Sequence, residues 1–171
     1  GKKKGNFWNF HWGEHHRKVR KNAHRDETYL QPLLTQWNPK SKETAALTVV
    51  VAAHLPLAPI APFFVATVAY SAWRYYTLHR RSHLDVAWAK EHLPWHYDHH
   101  MGKDQDANWC VTHPFFDILM GTRKPYLGTA AERRDLARAA RKEERRNRPA
   151  SGIRTNPTGS ARRQTDTGPR L

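Results

Sequence analysis

The sequence predicts an all-α fold, and three observations carry that prediction. Residues 44–73, TAALTVVVAAHLPLAPIAPFFVATVAYSAW, hold no Asp, Glu, Lys or Arg and are interrupted by Pro56, Pro59 and Pro62. Histidines recur at helical spacing in a short segment opened by Pro94 and closed by Gly102, the arrangement expected of a helix with proline in its first turn and glycine past its end. From about residue 129 the stretch TAAERRDLARAARKEERRNRPA has helix-forming composition but too few large apolar residues for a core face, so it reads as a solvated basic helix or coil.

The 171 residues suffice for one core with tails,. The reading is a domain over 1–128 and a basic, largely disordered tail over 129–171. The single cysteine, Cys110, excludes an internal disulfide, so no covalent staple supports the fold. Net charge is +14 and the pI is near 10.3, which favours anionic partners such as nucleic acid or a negatively charged membrane face. The opening GKKKGNFWNF lacks an apolar stretch of signal-peptide length and starts with glycine, so it reads as a processed, cloned or truncated start.

Taken in order, residues 1–43 are polar, basic and aromatic. The apolar segment follows. Its three prolines remove backbone donors and break helical continuity, so it reads as two helices, roughly 43–55 and 60–78, joined by a bend. Arms of about 13 to 19 residues reach roughly 20 to 28 Å, mostly short of a hydrocarbon core about 30 Å thick. The hairpin is expected to dip into the bilayer, or to cross it with help from tilt and snorkelling. Lys40 and Lys42 precede it and Arg74, Arg80 and Arg81 follow it, which places both flanks in the cytosol by the positive-inside bias. His54, near the bend, reads as structural or interfacial. Beyond the hairpin, Pro94 with Gly102 and Pro114 with Gly121 bracket two short helices. The last stretch, SGIRTNPTGSARRQTDTGPRL, has the composition of disorder,.

Four of the twelve histidines fall within residues 91–109. His96, His99 and His100 stand at i, i+3 and i+4 and share a helix face. Neutral imidazole is the commonest protein metal ligand. Three rings on one short helix cannot all meet one ion ideally, so they suit two metals or a site shared with another segment. His79 and His83 have i, i+4 spacing where the second apolar helix ends, and His11, His15 and His16 lie ahead of the first. With both hairpin ends on one side, the three groups are expected to converge at the cytosolic face. His92 is separated from His96 by Pro94 and reads as supporting. His24 reads as a surface or packing residue, and His113, before Pro114, is left out.

The stretch HYDHHMGKDQDANWCVTHPFFDILMGT resembles the C-terminal signature of the fatty acid hydroxylase and sterol desaturase superfamily: an HxxHH box (His96, His99, His100), an aromatic loop (Asn108, Trp109) and a D-x-x-x-G-T ending (Asp117, Gly121, Thr122). YYTLHRRSH, with His79 and His83, is similar to that family's segment at the exit of its last membrane helix. GEHHRKVRKNAHRDETYLQP resembles its earlier HxxHH box, except that Trp12 stands where the first histidine is expected and His11 is displaced by one. The resemblance covers roughly residues 7–123. It lacks the family's preceding helix pair and a further histidine box, unless His11 and His15 serve as a remnant.

The resemblance implies a membrane-bound non-haem di-iron oxygenase that hydroxylates or desaturates a lipid C–H bond with O2. It implies two iron ions, with zinc as a substitute, and an electron donor such as a reductase or small cytochrome, which the basic surface would steer. Implied metal ligands are His11, His15, His16, His79, His83, His96, His99 and His100, with Glu14, Asp98 and Asp117 behind them to orient the rings. Phe7, Trp8, Phe10, Trp12, Trp73, Tyr75, Tyr76, Trp88 and Trp95 suit an interfacial aromatic belt or simple packing. Two other readings stand beside it. One is a soluble basic nucleic-acid-binding protein with structural zinc or no metal, although the apolar segment has no role in such a protein. The other is an inactive fragment of the oxygenase family. A single-zinc hydrolase is weakened by the lack of an HExxH arrangement.

Overall fold

A computed structural model describes residues 5–33 and 36–148; the predicted disordered stretch from 151 onward lies outside them. Every regular element among the described residues is helical: a π-helix at His11–His16 running into α1 (Arg17–Lys21), α2 (Pro39–His54), α3 (Pro62–Leu84), α4 (Val86–His92), α5 (Pro94–Met101), α6 (Phe115–Leu119) and α7 (Ala130–Asn147), with two short 3-10 turns. By contacts, the described residues up to Asp135 make one compact unit and those from Leu136 a second. The basic stretch after 129 forms α7 with a mostly exposed surface.

Local chemistry explains the boundaries. Asn38 caps α2 by accepting from the Ser41 N–H at 3.0 Å, with Pro39 in the first turn,. The prolines then do what their missing donors dictate. α2 stops at His54, Leu55–Leu57 tightens into a 3-10 turn, and Pro62 opens α3. Asp85 ends α3 and caps α4 through the Trp88 N–H at 3.0 Å. α5 ends at Gly102, where a Cβ would sit 2.6 Å from the Asp98 carbonyl; no other residue fits.

α2 and α3 form the predicted hairpin, and its outer surface is apolar and uncovered. Ile60 and Phe63 at the tip are 82% and 87% exposed, and Val49, Phe64, Tyr70 and Trp73 are exposed along the arms. No helix among the described residues is long and apolar enough to cross a membrane. The sequence expectation of a crossing is corrected to that extent, for a physical reason. α2 is only 16 residues long, and α3 reaches 23 residues by running on through Arg74, Arg80 and Arg81.

Beneath the hairpin, the N-terminal helices, the end of α3, α4 and α5 close around an interior made largely of imidazole. His15, His16, His24, His79, His83, His96 and His100 are all at most 1% exposed, among the largest fully buried side chains of the protein. Apolar neighbours such as Val19, Ala89, Leu93 and Tyr97 form the surrounding wall.

Candidate metal centre

The two histidine triplets reach this interior through different helices. α5 is regular, so His96, His99 and His100 share a face as i, i+3 and i+4,. His11, His15 and His16 stand at i, i+4 and i+5. At about 100° per residue an α-helix would put His16 roughly 140° around from His11. The chain forms a π-helix over just these six residues, whose i→i+5 bonding widens the turn. His11 Nε2 and His16 Nε2 come within 3.0 Å. The displaced histidine of the sequence thus faces the site after all, and Trp12 packs on the His16 ring at 4.6 Å.

His79 and His83 project from the last turns of α3, their Nε2 atoms 3.1 Å apart. The rings sort into two groups whose ligand atoms lie within 4.8 Å of one another: His15, His79, His83 and His100 in one, His11, His16 and His99 in the other. Each triplet divides between the groups, and α3 supplies only the first. His96 stands in neither, although its Nε2 lies 3.4 Å from that of His83. Nitrogens bound to one tetrahedral ion at 2.0–2.1 Å stand about 3.3 Å apart. The pairs at 3.0 and 3.1 Å are close to that spacing.

Burial makes these rings poor bases. Desolvation, with mutual repulsion of the imidazoles behind it, pushes His11 down to about 2 and His24 to about 3, and holds His16, His83, His96 and His100 below the ordinary histidine range,. His15 and His99 are lowered for the same first reason, although Asp26 and the Ala107 carbonyl pull the other way. Those eight rings are therefore neutral, the form that coordinates metal,. Among the described residues eight buried ring nitrogens, on His15, His16, His24, His96 and His100, have no hydrogen-bond partner. Such orphaned groups are costly unless something binds them. Buried histidine groups here can hold a metal ion.

The carboxylates expected behind the histidines do other work. Glu14 is half exposed and pairs with Lys42 at 2.8 Å. Asp98, though buried, takes the Arg123 guanidinium at 2.7 Å and the Leu127 N–H at 2.7 Å. Asp117 accepts from the Trp109 and Cys110 N–H groups, both at 2.8 Å, and from the Thr122 hydroxyl at 2.7 Å, so it organises the 109–122 loop.

The acidic groups that reach imidazoles come from residues the sequence reading passed over. Glu43 Oε1 lies 2.5 Å from His79 Nδ1, and Glu43 Oε2 accepts from the Tyr29 hydroxyl at 2.6 Å. Asp26 Oδ2 lies 3.6 Å from His15 Nδ1 and its other oxygen takes Lys18 at 2.8 Å. Backbone carbonyls hold two more: His24 O at 2.9 Å from His83 Nδ1, and Ala107 O at 2.8 Å from His99 Nδ1. Such partners fix the ring orientation and tautomer of a ligand.

His24 itself is the other omission. After α1 the chain turns back through Ala23 and His24 at φ 50° and 80°, a left-handed conformation costing non-glycine residues about 1–2 kcal/mol each. The His24 N–H closes the turn on Val19 O at 2.9 Å, and the ring packs 4.7 Å from His83,. The one sequence signal for Glu43 was a carboxylate at the last position before the apolar run. His92, by contrast, is half exposed and stacks on Trp88 at 5.0 Å.

Two cavities touch the site. One of about 240 Å3 is lined by Trp8, His11, Tyr75, His96, His99, Trp109 and Val111. The other, about 180 Å3, is lined by Trp8, Phe10, His11, Glu43, Ala46, Leu47, Val50 and Tyr75. No family model, curated protein or solved structure matches this chain.

Proposed function

We propose that this chain forms the histidine-rich part of a membrane-associated di-iron oxygenase, one that hydroxylates or desaturates a C–H bond of a lipid with O2 and an external electron donor. The observation that carries the reading is the pair of adjacent histidine sets, of four and three rings, at the base of a hairpin whose apolar surface is uncovered. The family resemblance over residues 7–123 agrees with it.

His15, His79, His83 and His100 would hold one ion and His11, His16 and His99 the other, with His96 in reserve beside His83. Neutral imidazole donors suit iron or zinc, and bound iron supplies the activation of dioxygen. The protein supplies the rest. Glu43 and Asp26 orient His79 and His15. The aromatic and aliphatic side chains that line the two cavities beside the histidines would take a hydrocarbon chain,. The exposed apolar hairpin provides contact with the lipid phase, and the surplus positive charge favours an acidic electron donor.

Metal analysis of the detergent-purified protein tests this. About two irons per chain are expected, a two-metal site, with loss of one of them on His99→Ala and lipid oxidation in the presence of a reductase. A metal-free protein that stays in solution without detergent would overturn it.

A further inference from the structure

Resting on the di-metal reading, we infer that the two sets are unequal: the four-histidine set is a closed site that fills first, and the three-histidine set is an open, exchangeable site at which external ligands and substrate arrive. Four nitrogen donors complete a tetrahedron, whereas three leave a position free. His15, His79, His83 and His100 are each at most 1% exposed, and neither adjoining cavity is lined by any of them. His11 lines both cavities and His99 the larger.

The supporting contacts divide the same way. In the four-histidine set, His79 is braced by Glu43, His15 faces Asp26 and His83 is held by the His24 carbonyl. A carboxylate behind an imidazole raises its basicity as a ligand. In the three-histidine set His99 leans on a neutral carbonyl, as His83 does, and orphaned ring nitrogens occur in both sets, on His16 here and on His15 and His100 in the first, so it is the charged partners Glu43 and Asp26 that mark the first set. Ligand number, burial and charge all favour the first site for affinity. The same three features favour the second for reactivity.

The test is a Co2+ titration of the full chain, chelator-stripped and held in detergent, read by visible absorption and by equilibrium dialysis. Two steps are expected, separated by about tenfold or more in Kd. The first equivalent gives the intense bands of four-coordinate cobalt and ignores azide; the second gives weaker bands that azide shifts. Glu43→Gln weakens the first step by about 10–100-fold and leaves the second alone. His99→Ala removes the second step with its azide response and keeps the first. Should Glu43→Gln fail to fold, the azide response and His99→Ala still decide. Two equivalents of equal affinity, azide acting on the first, or His99→Ala abolishing the tighter step would overturn the inequality while leaving a di-metal protein. Failure to bind Co2+ at all would overturn the di-metal reading, and the inequality with it.

Discussion

The π-helix at His11–His16 and α5 do the same job with different spacing. Each turns three histidines inward and contributes to both sets, α5 with His99 and His100 while His96 stands beside His83, but α5 uses i, i+3, i+4 in a regular helix, whereas the N-terminal triplet uses i, i+4, i+5 and needs a widened turn. The difference teaches that the site constrains ring positions in space rather than residue spacing. One extra residue between ligands is absorbed by changing the helix type, at the cost of poorer backbone hydrogen bonding.

The sharpest way to break the comparison is to change each spacing by one residue. Inserting Ala between Tyr97 and Asp98 rotates His99 and His100 by about 100° relative to His96. Since each set takes a ligand from that pair, both metals should be lost, as metal analysis would report. Deleting Gly13 turns His11–His16 into a regular HxxHH box, and about two metals per chain should remain. A deletion mutant as empty as the insertion mutant would show that the widened turn has some other role.

The next largest effect is expected from acid, which strains both triplets together. Burial holds the folded-state pKa of these rings below the unfolded value of 6.5, so the unfolded chain takes up protons first. The stability of the metal-stripped protein is therefore complete above about pH 6.5 and falls as pH drops below it, continuing towards the values near 3 and 2 of His24 and His11. Denaturation midpoints across that range would check this. A midpoint that holds steady or rises on acidification would contradict it.

Smaller effects separate the carboxylates. Asp117→Asn, which weakens the acceptor for two backbone N–H groups and a hydroxyl, should cost about 2 kcal/mol in chemical denaturation while changing Co2+ affinity little. Glu14→Gln removes only a half-exposed pair with Lys42 and should cost less than about 1 kcal/mol. A large loss of metal affinity in Glu14→Gln would restore it as a ring-orienting residue.

Much of this was legible along the chain. The proline-broken hairpin, α5 between Pro94 and Gly102, and the i, i+4 pair at His79 and His83 all follow from local periodicity and local steric rules. Less legible was the π-turn, because Trp12 in the expected register made His11 look misplaced. His24 reads from sequence as a surface or packing residue, and the structure decides for packing, because nothing local announces the two consecutive left-handed residues, without glycine, that turn its ring inward. Asp98 and Glu14 attracted attention by sitting beside histidines in sequence, yet neighbours on a helix point in different directions, and both were claimed by cations elsewhere.

The sequence by itself determined the helical class, the place of the proline break between the apolar arms and which side chains were available as ligands. These depend on backbone donors, proline and residue spacing within a turn or two. Only the tertiary structure decided which imidazoles share a set, that Glu43 and Asp26 stand behind them, and that one set faces a cavity while the other does not. Those pairings join residues tens of positions apart, such as Glu43 with His79 and His15 with His100. Their distances are set by how the hairpin and the helices at its base pack together, and no local rule of spacing encodes that packing.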